Sequence, residues 1–425
     1  MNRVESPAIE VWADWAELGG QKRLGTLCAT APRGKEIFSF EYDDDWLLNK
    51  YAQSLDPALQ LFSGPQYAGN GKTNFGLFLD SAPDRWGRFL MDRRARQAER
   101  DQNLQRKTLR ESDYLLGVFD EHRMGALRFS ISPSGPFLDD NCTYAYPPWT
   151  SLRQLEQAAQ AIGQPHAEEH ADYRTWLRML IAPGGSLGGA HPKAGVVDPE
   201  GHLWIAKFPK RGGTTDGGGW EYLVYKLAKK AGINVPMAQA RTFQSSSHTF
   251  LSKRFDRVGQ KRIHFASAMT LLGRDDGYDA SQGASYLELA ELISREGARP
   301  AADLEELWRR IVFSICVSNS DDHLRNHGFL LRQKGWELSP AYDMNPDPAA
   351  DGLKLNISDA DNAQDLHLAR DVAIFFRVKP DRANSIIMEV TAAVRTWRDE
   401  AKPLGFSSSE VSQMAHSFRV ADDNK

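Results

Sequence analysis

The stretch SNSDDHLRNHGFLL, residues 318–331, follows the apolar run IVFSICV. It crowds two aspartates, two histidines and two asparagines into nine positions. Three chemistries use such residues. An Asp-Asp pair ahead of a helix is commonly an N-cap. His323 and His327 stand four apart, as in a zinc helix, but Leu324 follows His323 where a metalloprotease needs Glu. The third is phosphoryl transfer, in which an Asp orients the acceptor hydroxyl while an Asn and a second Asp hold Mg²⁺. Asp321 and Asn326 have the Asp-x-x-x-x-Asn spacing of a phosphotransferase catalytic loop, whereas Asp322 and Asn326 do not. Asp343 returns seventeen residues after Asn326, where a metal-binding Asp belongs.

The remaining parts of that chemistry occur upstream, in order. GGSLGG, residues 184–189, lets backbone N–H groups approach phosphate closely. Lys207 ends a strand-like run, and Glu221 follows near the start of an amphipathic stretch, where it can set the lysine. LSKRFDR, residues 251–257, offers an edge for adenine. Each piece alone has a bland reading, since glycine clusters are mostly turns and strand lysines mostly surface charges. Their joint order points to an ATP-dependent kinase. Asp321 is then the base, Asn326 and Asp343 are the Mg²⁺ ligands, His323 is a positioning residue and Asp322 is structural. Hard oxygen ligands are those Mg²⁺ prefers.

These residues need elements to hold them. Residues 9–42 alternate apolar and polar positions between glycines, which predicts a short antiparallel sheet. From Trp46 to about Arg110 the pattern is helical, broken by SGPQYAGNGKTN. GALRFSIS (125–132) predicts a strand, 134–151 a linker, and SLRQLEQAAQAI a helix capped by Ser151. GHLWIAKFP (201–209) predicts a strand, KRGGTTDGGG (210–219) a mobile segment, and 219–233 a helix carrying Glu221. Further strands are expected at QARTFQ and at 248–257, then mostly helix, with a hairpin over 327–346.

The chain has 425 residues, 41% apolar and 25% charged, which predicts two or three folded domains. A net charge of −4 argues against an autonomous nucleic-acid binder, and RRARQAER (93–100) reads as a solvated helix face. Three scattered cysteines, Cys28, Cys142 and Cys316, exclude a disulfide framework and suit a reducing cytosol. The N-terminal charges do not suit a signal peptide, and the expected location is cytoplasmic.

The segments GGSLGGAHPKAGV, WIAKFPK, KRFDR, SNSDDHLRNHGFLL and LSPAYDMNP together resemble the HipA family, the serine/threonine-kinase toxins of bacterial toxin–antitoxin pairs. RLGTL, FGLFLDSAPDRWGR and GALRF are similar to that family's N-terminal domain, so the resemblance covers roughly residues 8–400. It implies an α+β, two-lobed protein-kinase-like fold with a small β-rich N-terminal domain and a mainly helical C-terminal lobe. The expected divisions are 1–145, 146–257 with the glycine-rich loop, and 258–425 with the catalytic loop. ATP and Mg²⁺ are the implied cofactors. The implied nucleotide contacts are Gly188, Gly189, Ala190, His191, Pro192 and Lys193, then Lys207, Lys253, Arg254 and Phe255, then His323 to Asn326 and Asp343. Ser186 corresponds to the family's autophosphorylated serine. The implied partners are a small helix-turn-helix, HipB-like antitoxin, operator DNA reached mainly through it, and a protein substrate such as an aminoacyl-tRNA synthetase. Two departures stand out: Lys253 where the family often has an acid, and Pro192, which removes an N–H from the phosphate loop. A catalytically weak antitoxin-binding co-repressor and a small-molecule kinase of related fold are the alternatives.

Overall fold

The computed structural model describes residues 8–31, 35–69, 71–102, 108–138, 147–182, 184, 189, 191–210 and 212–423. Ser186, Gly188, Ala190 and Cys142 lie outside these described residues. The chain divides into two compact units, Met1–Arg211 with Asp256–Ala266, and Gly212–Phe255 with Ser267–Lys425.

The first unit begins with a five-stranded antiparallel sheet in the order β4-β3-β2-β1-β5. Its strands are β1 (Ala8–Ala13), β2 (Lys22–Thr30), β3 (Ile37–Tyr42), β4 (Gln66–Tyr67) and β5 (Leu127–Ser130). The alternation expected over 9–42 is the observed one. Ile9, Val11 and Ala13 of β1 and Phe38, Phe40 and Tyr42 of β3 are buried at every second position, which puts one face of the sheet on the core. Between β3 and β5 the chain is less helical than the periodicity suggests. A short turn of helix at Asp44–Leu47 gives way to backbone that is irregular apart from β4, until Gly76–Leu79 and the long helix Arg85–Gln102. Buried Asp56 organises that stretch, accepting the N–H groups of Ala58 (2.8 Å) and Leu77 (2.9 Å). Nor does Ser151 cap its helix: Trp149–Ser151 forms a 3-10 turn running into Leu152–Ile162, and the serine side chain makes no cap bond.

The glycine-rich segment leads into β6 (Lys193–Val197), paired antiparallel with β7 (Leu203–Lys207). Residues 256–266 belong to this unit, across the boundary expected at 257. Their attachment is polar and buried. Asp256 Oδ2 accepts the Gly125 N–H (2.8 Å), Arg257 donates to the Arg123 carbonyl (2.9 Å), and Arg262 to Asp120 Oδ2 (3.0 Å).

The second unit is mainly helical, as expected. It opens with the helix Gly217–Lys230, whose N-cap Asp216 accepts the N–H groups of Gly219 (3.0 Å) and His248 (2.8 Å) and also pairs with the His248 ring. Gly217–Gly219 is thus the packed first turn of a helix rather than part of a mobile segment. Strands β8 (Ala238–Arg241) and β9 (Thr249–Lys253) pair beside it, and Trp220 stacks on Phe406 at 4.2 Å between ring centroids. A Cβ at Gly218 would stand 2.1 Å from the His248 carbonyl oxygen. Gly218→Ala is therefore expected to lower unfolding free energy by about 1–3 kcal/mol in urea titration, despite alanine's better helix propensity. The helices Tyr286–Glu296, Pro300–Val317 and Pro380–Val394 complete the body of the unit, with a hairpin at Gly328–Arg332 and Gly335–Leu338. Among the described residues no helix is long and apolar enough to cross a membrane.

Candidate active site

The helix Pro300–Val317 is buried over most of its length and ends at Ser318, which takes a left-handed conformation (φ 50°). The Ser318 hydroxyl lies within hydrogen-bond distance of two acceptors, Gln364 Oε1 (2.9 Å) and the Ser417 carbonyl (3.0 Å), which pins the point where the chain leaves the helix. The loop that follows turns on the Asp321 carbonyl. It accepts the His323 N–H (2.9 Å) and the Asn326 side-chain amide (2.9 Å). The Asp321 carboxylate points out exposed, and among the described residues it makes no hydrogen bond.

Asp322 faces the other way. It is buried, accepts the Tyr286 hydroxyl (2.6 Å) and the Ser314 hydroxyl (3.4 Å), and lies 3.1 Å from His327 Nε2. That last contact is close enough for charge attraction, although the ring nitrogen is not aimed along a hydrogen-bond direction. Burial pushes the Asp322 carboxyl up, but the facing His327 ring and the Tyr286 hydroxyl outweigh it, so its pKa lies below the ordinary value. The Tyr286 hydroxyl is driven well above its ordinary value by burial and then by Asp322. Adjacent carboxylates thus have opposite environments: one anchors the loop, its neighbour meets solvent.

The hairpin brings Asp343 back to this loop. Ser339 N–H donates to the Gly328 carbonyl (2.9 Å), so the returning chain runs alongside the outgoing one. Tyr342 then donates its hydroxyl to the Arg325 carbonyl (2.7 Å), and the Asn345 N–H donates to Asn319 Oδ1 (3.0 Å). Asp343, between those anchors, is left-handed at φ 57°, a conformation that costs a non-glycine residue roughly 1 kcal/mol. Asn345 Nδ2 lies 3.4 Å from its carboxylate.

Asn326, with its Nδ2 committed to Asp321, presents an amide oxygen, and Asp343 presents a carboxylate. Both are hard oxygen donors, a set that fits Mg²⁺ and not zinc. His323 Nδ1 is buried with no hydrogen-bond partner among the described residues, a polar atom that a bound nucleotide could satisfy. The described residues contain one group of three close metal-ligand types, Asp198, Glu200 and His202 in the β6–β7 turn. There Asp198 Oδ2 is already taken by the Trp204 indole (2.8 Å), and the zinc pairing of His323 with His327 finds no support.

Other expected residues lie on separate elements, some in each unit. In the second unit, Glu221 is buried in the Gly217–Lys230 helix, and the Lys253 N–H at the end of β9 donates to the Met237 carbonyl (2.8 Å). Arg254 is buried and the Phe255 ring lies 5.6 Å from Tyr342. In the first unit, His191 and Pro192 are half-buried, and Lys193 and Lys207 are direct cross-strand partners. The Lys193 ammonium has an acidic neighbour that spacing did not predict. It is buried 3.1 Å from Asp84 Oδ2. Tyr286, Tyr342, Asn345 and Asp84 were not singled out by sequence spacing, and His327 only as a zinc candidate, because each meets its partner only through the fold.

This is an α+β protein with a kinase-like fold. It superposes on Shewanella oneidensis HipA, solved in complex with HipB and operator DNA, at a TM-score of 0.64 and 18% identity over 97% of this chain and 95% of that one. Residues 185–397, half of the chain, match the HipA-like C-terminal domain family model, and the chain belongs to that family. The Sinorhizobium fredii protein Y4mE, provisionally named a kinase, is 25% identical over 265 residues, 55% of this chain and 61% of its own length. The S. oneidensis serine/threonine-protein kinase toxin HipA is 25% identical over 143 residues, 29% of this chain and 33% of its own length. The chain therefore spans less than two thirds of the curated relatives it matches.

Proposed function

We propose that this chain is an ATP- and Mg²⁺-dependent serine/threonine protein kinase, the toxin of a pair with a small HipB-like helix-turn-helix antitoxin. The observation that carries the reading is the catalytic loop, where an exposed Asp321 stands beside a buried, anchored Asp322. Asn326 and Asp343 offer oxygens there from segments hydrogen-bonded to each other.

Bound Mg²⁺–ATP would supply the phosphoryl group. Asp321 orients the acceptor serine hydroxyl and takes its proton as the oxygen becomes a nucleophile. Asn326 and Asp343 would hold the metal, Lys207 would hold phosphate charge, and Glu221 would be the carboxylate that sets it. The main-chain N–H groups of the loop Gly188 to Lys193, Pro192 having none, would line the phosphates, the segment Lys253–Phe255 would read adenine, and His323 would position the loop.

The antitoxin partnership is supported by the HipA–HipB–operator complex of the structural neighbour. With a net charge of −4, the chain would reach operator DNA chiefly through the partner. A translation component such as an aminoacyl-tRNA synthetase is the proposed acceptor, in the cytoplasm. A phosphate on Ser186 would bring close to two negative charges into the glycine-rich loop and silence the enzyme. Mass spectrometry of purified protein incubated with Mg²⁺ and ATP is expected to find phosphoserine at 186. Protein that binds no ATP and labels neither itself nor a lysate protein would sink the kinase reading.

A further inference from the structure

The two described ends of the glycine-rich segment both meet the start of the Arg85–Gln102 helix. At one end, a Cβ on Gly184 would come within 2.7 Å of Leu90 Cδ1 and 3.1 Å of Trp86 Nε1. At the other, the Trp86 indole N–H donates to the Lys193 carbonyl (2.9 Å), and the Lys193 ammonium meets Asp84 Oδ2 (3.1 Å). Gly189 is left-handed (φ 93°), and a Cβ there would lie 3.2 Å from that ammonium. Asp84 is itself held in place. Its Oδ1 accepts the Gly87 N–H (2.9 Å) and its carbonyl accepts the Arg88 N–H (2.8 Å), so one residue starts the helix and grips the lysine.

The pair is poor material for stability alone. The two side chains are 1% and 5% exposed, and removing both charges from water offsets most of their attraction. Burial pushes the Asp84 carboxyl above its ordinary value even with Lys193 beside it. What the pair supplies is direction. Lys193 and Lys207 are opposed across β6 and β7, hence on one face of the ladder, where like charges repel. Asp84 neutralises one of them and fixes where β6 begins.

We propose that Asp84 and Trp86 are positioning residues that anchor the glycine-rich segment through Lys193 and thereby set nucleotide affinity without touching nucleotide. The inference rests on the kinase reading for its second half and stands on the first unit alone for its first. It divides two lysines by role: Lys207 for phosphate, Lys193 for the anchor.

The test uses the full chain as wild type, Asp84→Asn, Trp86→Phe, Asp84→Glu and the double variant Asp84→Asn/Lys193→Met. The double variant strands no buried ammonium and covers the case in which Asp84→Asn fails to fold. Amide exchange in β6 and β7 is expected to rise about tenfold in Asp84→Asn and Trp86→Phe, while exchange in Pro300–Val317 stays unchanged. Dissociation constants for Mg²⁺–ATP are expected to weaken about tenfold in the same variants and in the double variant, with kcat at saturating ATP within about twofold in Asp84→Asn and Trp86→Phe. Asp84→Glu is expected to recover part of the affinity. Unchanged exchange in folded variants overturns the anchor. Raised exchange with wild-type ATP affinity, or a fall in kcat without a change in affinity, overturns its role in nucleotide binding. A wild-type protein that binds no ATP counts against the kinase reading and removes the nucleotide half of the inference, while the exchange result still decides the anchor.

Discussion

Asp321→Asn is expected to reduce phosphoryl transfer by about 10²- to 10⁴-fold while leaving the unfolding curve and ATP affinity close to wild type. The separation of activity from stability follows from the loop's geometry. The fold uses the Asp321 carbonyl, which holds His323 and Asn326, and an asparagine keeps that carbonyl. The carboxylate is exposed and contributes no hydrogen bond to the fold among the described residues, so its charge is available for the acceptor proton. Turnover is to be followed by phosphoserine mass spectrometry, with denaturant unfolding in parallel. Activity within tenfold of wild type would move the base to another residue.

Asp322→Ala is expected to act in the opposite sense, through the fold. Removing this buried carboxylate leaves the Tyr286 hydroxyl and the His327 ring without their common partner. Loss of one member of a buried charged set costs about 3–5 kcal/mol. The catalytic loop sits directly on this anchor, so kcat is expected to fall together with stability. The pH dependence has a definite sign. The folded Asp322 pKa lies below its unfolded value, so its contribution is complete above about pH 4 and is lost as pH falls through the folded pKa. The stability gap between wild type and Asp322→Ala is therefore greatest near neutrality and narrows below about pH 4. Urea unfolding from pH 3 to 7 measures it, and a gap that stays constant across that range would remove the anchoring role.

Much of the local structure was legible in the residues. Alternation in β1 and β3 marked the sheet, the amphipathic run after Asp216 marked the helix carrying Glu221, and the turn near Gly335 marked the hairpin that returns Asp343. These are periodic signals that a chain carries over five to fifteen residues. Signals that depended on a single cap or breaker were less secure. Ser151 lies inside a 3-10 turn instead of capping, and Gly217–Gly219 is the first turn of a helix capped by Asp216, with Gly218 where His248 leaves no room for a side chain.

The order and spacing of Asp321, Asn326 and Asp343, on which the proposed chemistry rests, can be read from the amino-acid sequence alone, because the loop is contiguous and a hairpin returns Asp343 at short range. The tertiary structure decided what each charge near them does. Asp321 and Asp322 are neighbours of the same type, and only packing against Tyr286 and His327 makes one an anchor and leaves the other facing solvent. Lys193 likewise meets Asp84 from 109 positions away. A carboxylate or an ammonium takes its role from the dielectric and the partner around it, and those are properties of the folded interior.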